Sequence, residues 1–237
     1  MISTNLRQKP ERPAIFSRSM TSDKKATKVY NSFQDFIITN DHPCIMAKTV
    51  FSMNLVNLRT YNNLGNLNQT KELYKDLKAY IKNYDFESNQ FETFIAVFPN
   101  SPEFTEIQFE EQLWMQLNQL NAVDEYDWDP SVSNNPNDDN FSFSIAGKSF
   151  YIVGLHPNSS RKARRSPYPA IAFNLHWQFE KLREMGTYDR VKTSIRERDE
   201  QFSGSTNPML KDFGSQSEAR QYSGRKVGEQ WECPFKK

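Results

Sequence analysis

The stretch NFSFSIAGKSFYIVGL, residues 140–155, decides the fold. Phe141, Phe143 and Ile145 alternate with Ser142 and Ser144, the period-2 pattern of a strand with one buried face. Ala146-Gly147-Lys148 supplies a tight turn, and SFYIVGL reads as the returning strand. A β-hairpin in mid-chain requires antiparallel pairing. The elements around it are unevenly mixed. Helical spacing marks residues 26–39 through Val29, Phe33, Phe36 and Ile37. Leu73, Leu77, Tyr80 and Ile81 mark a second helix. A third spans residues 101–124, with Ser101 as N-cap and Phe109, Leu113 and Leu117 every fourth residue. The alternation of Phe51, Met53 and Leu55 suggests a strand, ETFIAVFP a buried strand, and YPAIAFN a short one. LHWQFEKLREM is a helix with Asn174 as its N-cap and Gly186 as its stop, and a last helix follows from Thr187 to Phe202. This order predicts an α+β domain, with a mainly antiparallel sheet, packed helices and a long C-terminal tail wrapped over the core. Residues 1–24 read as a polar arm that stays unordered unless it docks, and residues 25–237 as one domain.

Composition narrows the function classes. The net charge is +1, which gives no overall electrostatic case for nucleic acid. No apolar run approaches the ~20 residues of a spanning helix, and the N-terminus lacks an apolar signal core, so a cytoplasmic protein is expected. The two cysteines, Cys44 and Cys233, lie far apart and argue against a structural disulfide. No C-x₂-C spacing supports zinc, and neither GxGxxG nor GxxxxGK[ST] is present.

The chemistry-bearing residues cluster just beyond the hairpin, in GLHPNSSRKARRSPYP, residues 154–169. His156 leaves a strand end and is fixed by Pro157, so it is either a core histidine or a ligand facing a pocket. Arg161, Arg164 and Arg165 share one face if the segment is a helical turn. They form either a solvated surface or an anion clamp suited to paired carboxylates or phosphate. His176 opens a helix with Glu180 at i+4, and reads as a packed surface residue, a second pocket ligand or an acid/base group. Cys44 is a small core residue or a thiolate ligand. In the tail, Asp212 and Glu218 offer carboxylates to a guanidinium or amine, or else make local ion pairs with neighbours such as Arg220 and Arg225.

Together HPCIMAK, VGLHPNSSRKARRSPYPAIAFNLHWQFEKLREMGTYD, IRERD, GSTNPML and SEARQYSGRKVGEQWECPF resemble the YqcI/YcgG family over nearly the whole chain beyond the N-terminal arm. Pro43-Cys44, His156-Pro157, Ser160-Arg161, Arg164-Arg165, Asn174, His176, Phe179-Glu180, Asn207-Pro208 and the run from Ser217 to Arg225 carry the match. Relatives in that family include heme-dependent N-hydroxylases of guanidino groups. The resemblance therefore implies heme b (protoheme), dioxygen, an electron donor and a guanidino substrate such as arginine or a related compound. On this reading His156 binds the iron, with His176 and Cys44 as alternatives. Arg161, Arg164, Arg165, Ser160, Arg220 and Arg225 surround the cofactor, and Glu218, Asp212 or Glu180 holds the guanidinium. The competing expectations are a heme sensor or carrier without turnover and a non-heme anion-binding module.

Overall fold

The computed structural model describes residues 20–207, 209 and 212–236. Most of the expected N-terminal arm, residues 1–19, lies outside them. Helix α1 spans Met20–Gln34, earlier than the apolar spacing suggested, and passes into a π-helical turn at Asp35–Thr39. Helix α2 follows at Ile45–Ser52 and strand β1 at Val56–Thr60. This corrects the strand expected at residues 51–55. Ala47, Val50 and Phe51 pack on one helical side, and the Cys44 Sγ caps the helix by accepting from the Ala47 N–H. Helix α3, Leu67–Asn83, leads to β2 at Thr93–Val97. Helix α4 is Glu106–Val123, capped by Thr105 in a reciprocal pair with Gln108. The expected cap, Ser101, instead accepts from the Leu64 N–H.

The hairpin is present as β3, Phe143–Ile145, and β4, Lys148–Leu155. Ala146 and Gly147 both have positive φ, at 51° and 71°, which matches a two-residue turn of the kind that follows strand twist. A 3₁₀ turn at Lys162–Arg164 precedes β5, Ala170–Leu175. Helices α5, His176–Glu184, and α6, Tyr188–Ser203, follow, and the short α7, Ala219–Tyr222, lies in the tail. Asn174 does not cap α5. Its side chain instead accepts from the Thr93 hydroxyl and ties β5 to β2.

The five strands run in the order β1-β2-β5-β4-β3. Every neighbouring pair is antiparallel except β1–β2, which is parallel and bridged by α3. The fold is a single-domain α+β arrangement, as the hairpin implied. Its two faces differ in size. Phe94, Phe150, Ile152, Ile171 and Phe173 point to one side and pack with α3, α4 and the tail in a large core that includes Leu73, Leu77, Trp114, Tyr222 and Phe235. Ile95, Val97, Leu155, Ala170 and Ala172 point to the other, towards α1 and α2.

Arg164 holds the tail to the sheet. Its guanidinium is buried and donates to the Gly154 carbonyl at 2.9 Å, to Gln221 at 3.3 Å and to Tyr222 at 3.5 Å. Arg225 and Ser223 anchor the same segment on the buried Glu110 of α4. Arg164→Ala removes the donor that joins these three carbonyls across the sheet–tail boundary. It is expected to lose roughly 3 kcal/mol of unfolding free energy in urea titrations. Ala146→Gly relieves a left-handed alanine and is expected to add about 0.5 kcal/mol, a rise of about 2 °C in Tm by calorimetry.

Candidate functional site

The smaller face of the sheet leaves space. Ala172 lies between Ile95 of β2 and Val153 of β4 in register, so a methyl group stands where the opposite face carries phenylalanine. The result is a cavity of about 320 Å³ between the sheet and helices α2, α5 and α6. Val50, Phe51, Ile95, Phe179 and Ile195 give it a largely apolar wall, and Phe36 and Ile37 of the π-helical turn close one side. A groove of about 740 Å³ adjoins it, and His176, Arg183, Tyr188, Lys192, Asp212 and Phe213 line both.

His176 is the hinge between cavity and groove. As the first residue of α5 it follows β5 directly, and its ring is buried. Its Nε2 lies 3.7 Å from Glu218 Oε1 and its Nδ1 3.9 Å from Glu180 Oε1, both beyond hydrogen-bond length. Phe213 meets the ring edge-on with centroids 4.3 Å apart, and the Phe179 ring lies tilted to it at 6.3 Å. Behind it, the buried Glu218 accepts from the Ser142 hydroxyl at 3.0 Å and the Tyr222 hydroxyl at 3.4 Å.

The rim is a balanced ring of charge. Lys192 joins Asp189 at 2.9 Å and Asp212 at 3.2 Å, Arg196 approaches Asp212 at 3.5 Å, and Arg183 pairs with Glu180. Arg183 and Lys192 both face the Tyr188 ring. Lys192 and Arg196 escaped the sequence reading, although their spacing from Tyr188 already put them along one side of a helix, whereas Arg183 follows His176 and Glu180 on one face of α5 as the sequence implies.

Of the other expected site residues, Arg161, Arg164 and Cys44 also line the cavity, and the rest lie away from it. His156 does not line the cavity. It stacks on Phe109 with ring centroids 4.4 Å apart, and its buried Nδ1 has no hydrogen-bond partner among the described residues. Burial pushes its pKa down to about 4. The arginine clamp also does not form. The 3₁₀ turn sends Arg161 to Asp199 and the Ser205 carbonyl, Arg164 inward to the tail, and Arg165 to the Ser159 and Ser160 carbonyls. Ser160 donates its N–H and hydroxyl to Glu106. Arg220 holds the Gly228 and Trp231 carbonyls, and Arg225 holds Glu110, so both serve the tail. Cys44 does face the cavity, but burial raises its thiol pKa and keeps it protonated. His42, also on the wall, accepts the Cys44 N–H at its Nδ1 and places its Nε2 2.9 Å from the Ala163 carbonyl, so both nitrogens are engaged.

Among the described residues no group of three or more His, Cys, Asp or Glu could hold a metal ion unaided. For a heme the residues fit in part. The apolar walls and the ring of His176 suit a flat, iron-bearing group, whereas the cations nearby are all engaged: Arg183, Lys192 and Arg196 with carboxylates at the rim, and Arg161 and Arg164 on the cavity wall with Asp199 and backbone carbonyls.

A small domain built as a mixed five-stranded sheet, with a buried histidine at the mouth of an apolar cavity, is the class of protein these features define. The chain belongs to the YqcI/YcgG family, which it matches over residues 33–236. It is similar to a Bacillus subtilis (strain 168) protein named "Uncharacterized protein YqcI", with 26% identity over 208 residues that cover 84% of this chain and 82% of that one. No solved structure gives a significant match.

Burial lowers the pKa of His42 and His156 below the ordinary 6.5, so the folded protein holds both rings neutral while the unfolded chain protonates first. Unfolding free energy is expected to be level above about pH 6.5 and to fall as pH drops towards 4. In denaturant titrations across that window, His156→Phe should flatten the slope.

Proposed function

We propose that the protein binds heme b in the apolar cavity and N-hydroxylates a small guanidino compound, such as arginine or a relative of it, in the cytoplasm. The observation that carries this reading is His176, a buried ring with neither nitrogen hydrogen-bonded to its neighbouring carboxylates, set where an apolar cavity opens into a charged groove. The family resemblance supports the same chemistry. His176 would hold the iron, and Arg183, Lys192 and Arg196 would meet the two propionates. Bound there, the heme supplies oxygen activation, in which O₂, two electrons from an external donor and two protons convert a guanidine to an N-hydroxyguanidine and water.

The chain's own residues supply position. Asp212 and Glu180 line the groove and suit a guanidinium, which pairs with a carboxylate through two parallel hydrogen bonds. Taking a substrate cation requires each to exchange a present partner, Lys192 or Arg183, and such exposed pairs are individually weak. Phe179 and Phe213 pack against the imidazole and help to hold the ring in place.

Hemin titration tests the cofactor. The full chain should develop a Soret band, His176→Ala should weaken hemin binding about tenfold or more, and His156→Ala should leave the band unchanged. No band in the unaltered protein would overturn the heme reading. Incubation with a panel of guanidines, a reductase system and O₂ should then add one oxygen atom to one of them by mass spectrometry. Heme binding without that product identifies a sensor or carrier instead.

A further inference from the structure

We infer that the inner side of α6, Val191 and Ile195 above all, is a ligand-contact surface and not part of a packed core: it roofs the cavity and meets the apolar face of a flat guest. The inference rests on the cavity of the proposed function being a binding site, but not on iron or on His176.

Tyr188, Val191, Ile195 and Phe202 recur at helical spacing along α6, the stripe by which an amphipathic helix normally packs. Here none of the four is buried. The one buried residue of this helix is a carboxylate, Asp199. Among the described residues, none of the four joins either hydrophobic core. Tyr188, Val191 and Ile195 line the cavity instead. Across it, Ala172 stays 8% exposed although its strand neighbours Ile171 and Phe173 are fully buried, and its cross-strand partner Val153 is half-buried. A narrow apolar floor thus faces an apolar ridge one helical turn long, and the two are kept apart by the cavity. Such a pair of surfaces suits the two faces of a flat ring system.

The side-chain ties that hold α6 are largely polar. Arg161 pairs with Asp199, which also accepts from the Ser203 hydroxyl at 3.0 Å. Arg198 reaches Asp41 at 2.8 Å, and Lys192 and Arg196 reach Asp212 at 3.2 Å and 3.5 Å. The more exposed of these pairs are individually weak, so the helix can settle onto a guest. Removal of the facing apolar surfaces from water drives that closure.

The test titrates the full chain with protoporphyrin IX, which has the flat ring but no iron, in parallel with hemin. Serine has nearly the helix propensity of isoleucine, so Ile195→Ser isolates the contact. It should weaken protoporphyrin binding about tenfold or more, while the Tm of the free protein stays near that of the parent. Phe173→Leu, in the packed core, should by contrast lower Tm by several degrees. Backbone amide exchange along α6 should slow when protoporphyrin binds, with α3 and α4 unchanged. An Ile195→Ser protein that loses as much Tm as Phe173→Leu, or that binds protoporphyrin as tightly as the parent, overturns the inference. If protoporphyrin binding depends on Ile195 but hemin binds no more tightly than the metal-free ring, in the parent and in His176→Ala alike, the iron reading fails and the role of α6 stands. If hemin binds and Ile195→Ser changes neither titration, the heme reading stands and the role of α6 fails. Binding of neither ring overturns both.

Discussion

The unequal faces of one β-sheet govern this molecule. Strands expose alternate residues to opposite sides, so β2, β4 and β5 each contribute two independent rows. One row carries Phe94, Phe150, Ile152 and Phe173 and packs beneath α3 and α4 in the larger core. The other carries Ala170 and Ala172 at its centre, beside Ile95 and Val153. Helices cannot approach a sheet closely enough to fill what alanine leaves when larger neighbours hold them off. The stability of the domain is concentrated on the first face, and the space for a ligand lies on the second.

Polar groups then give that space direction. His176 is carried to the cavity mouth by the passage from β5 straight into α5, with no intervening loop. Glu218 arrives from the opposite end of the chain, on a tail that Arg164 and Glu110 tie down from two sides. Buried charges of this kind need full complements of partners, because a single unpaired group in low dielectric costs more than the bond it lost. Arg164 meets that requirement with backbone carbonyls at the cavity wall. The guanidinium, in other settings an anion binder, serves here as a structural bolt between sheet and tail.

Much of the architecture was legible in the sequence because its cues are local. The serine–aromatic alternation before Ala146-Gly147 defines the hairpin, and leucines every fourth residue define α3 and α4. The segment around Phe51 misled because a three-residue alternation is too short to separate a strand from a helix. The N-cap at Cys44 and the pair Val50–Phe51 settle it as α2. The site was only half legible. His176, Glu180, Asp212 and Glu218 do gather around one opening. His156 and the arginines beside it, the most conspicuous local cluster, serve packing and loop closure, since proximity in sequence says nothing about which way a 3₁₀ turn aims each side chain.

The sequence by itself determined most of the elements, the antiparallel hairpin and the α+β class, because propensity, period and turn chemistry act over a few residues. Tertiary structure alone decided which face of the sheet would be roomy, where the tail would dock and which histidine would meet a carboxylate. Those outcomes depend on register between strands distant in the chain and on which buried donors and acceptors find one another, and neither is written within any single segment.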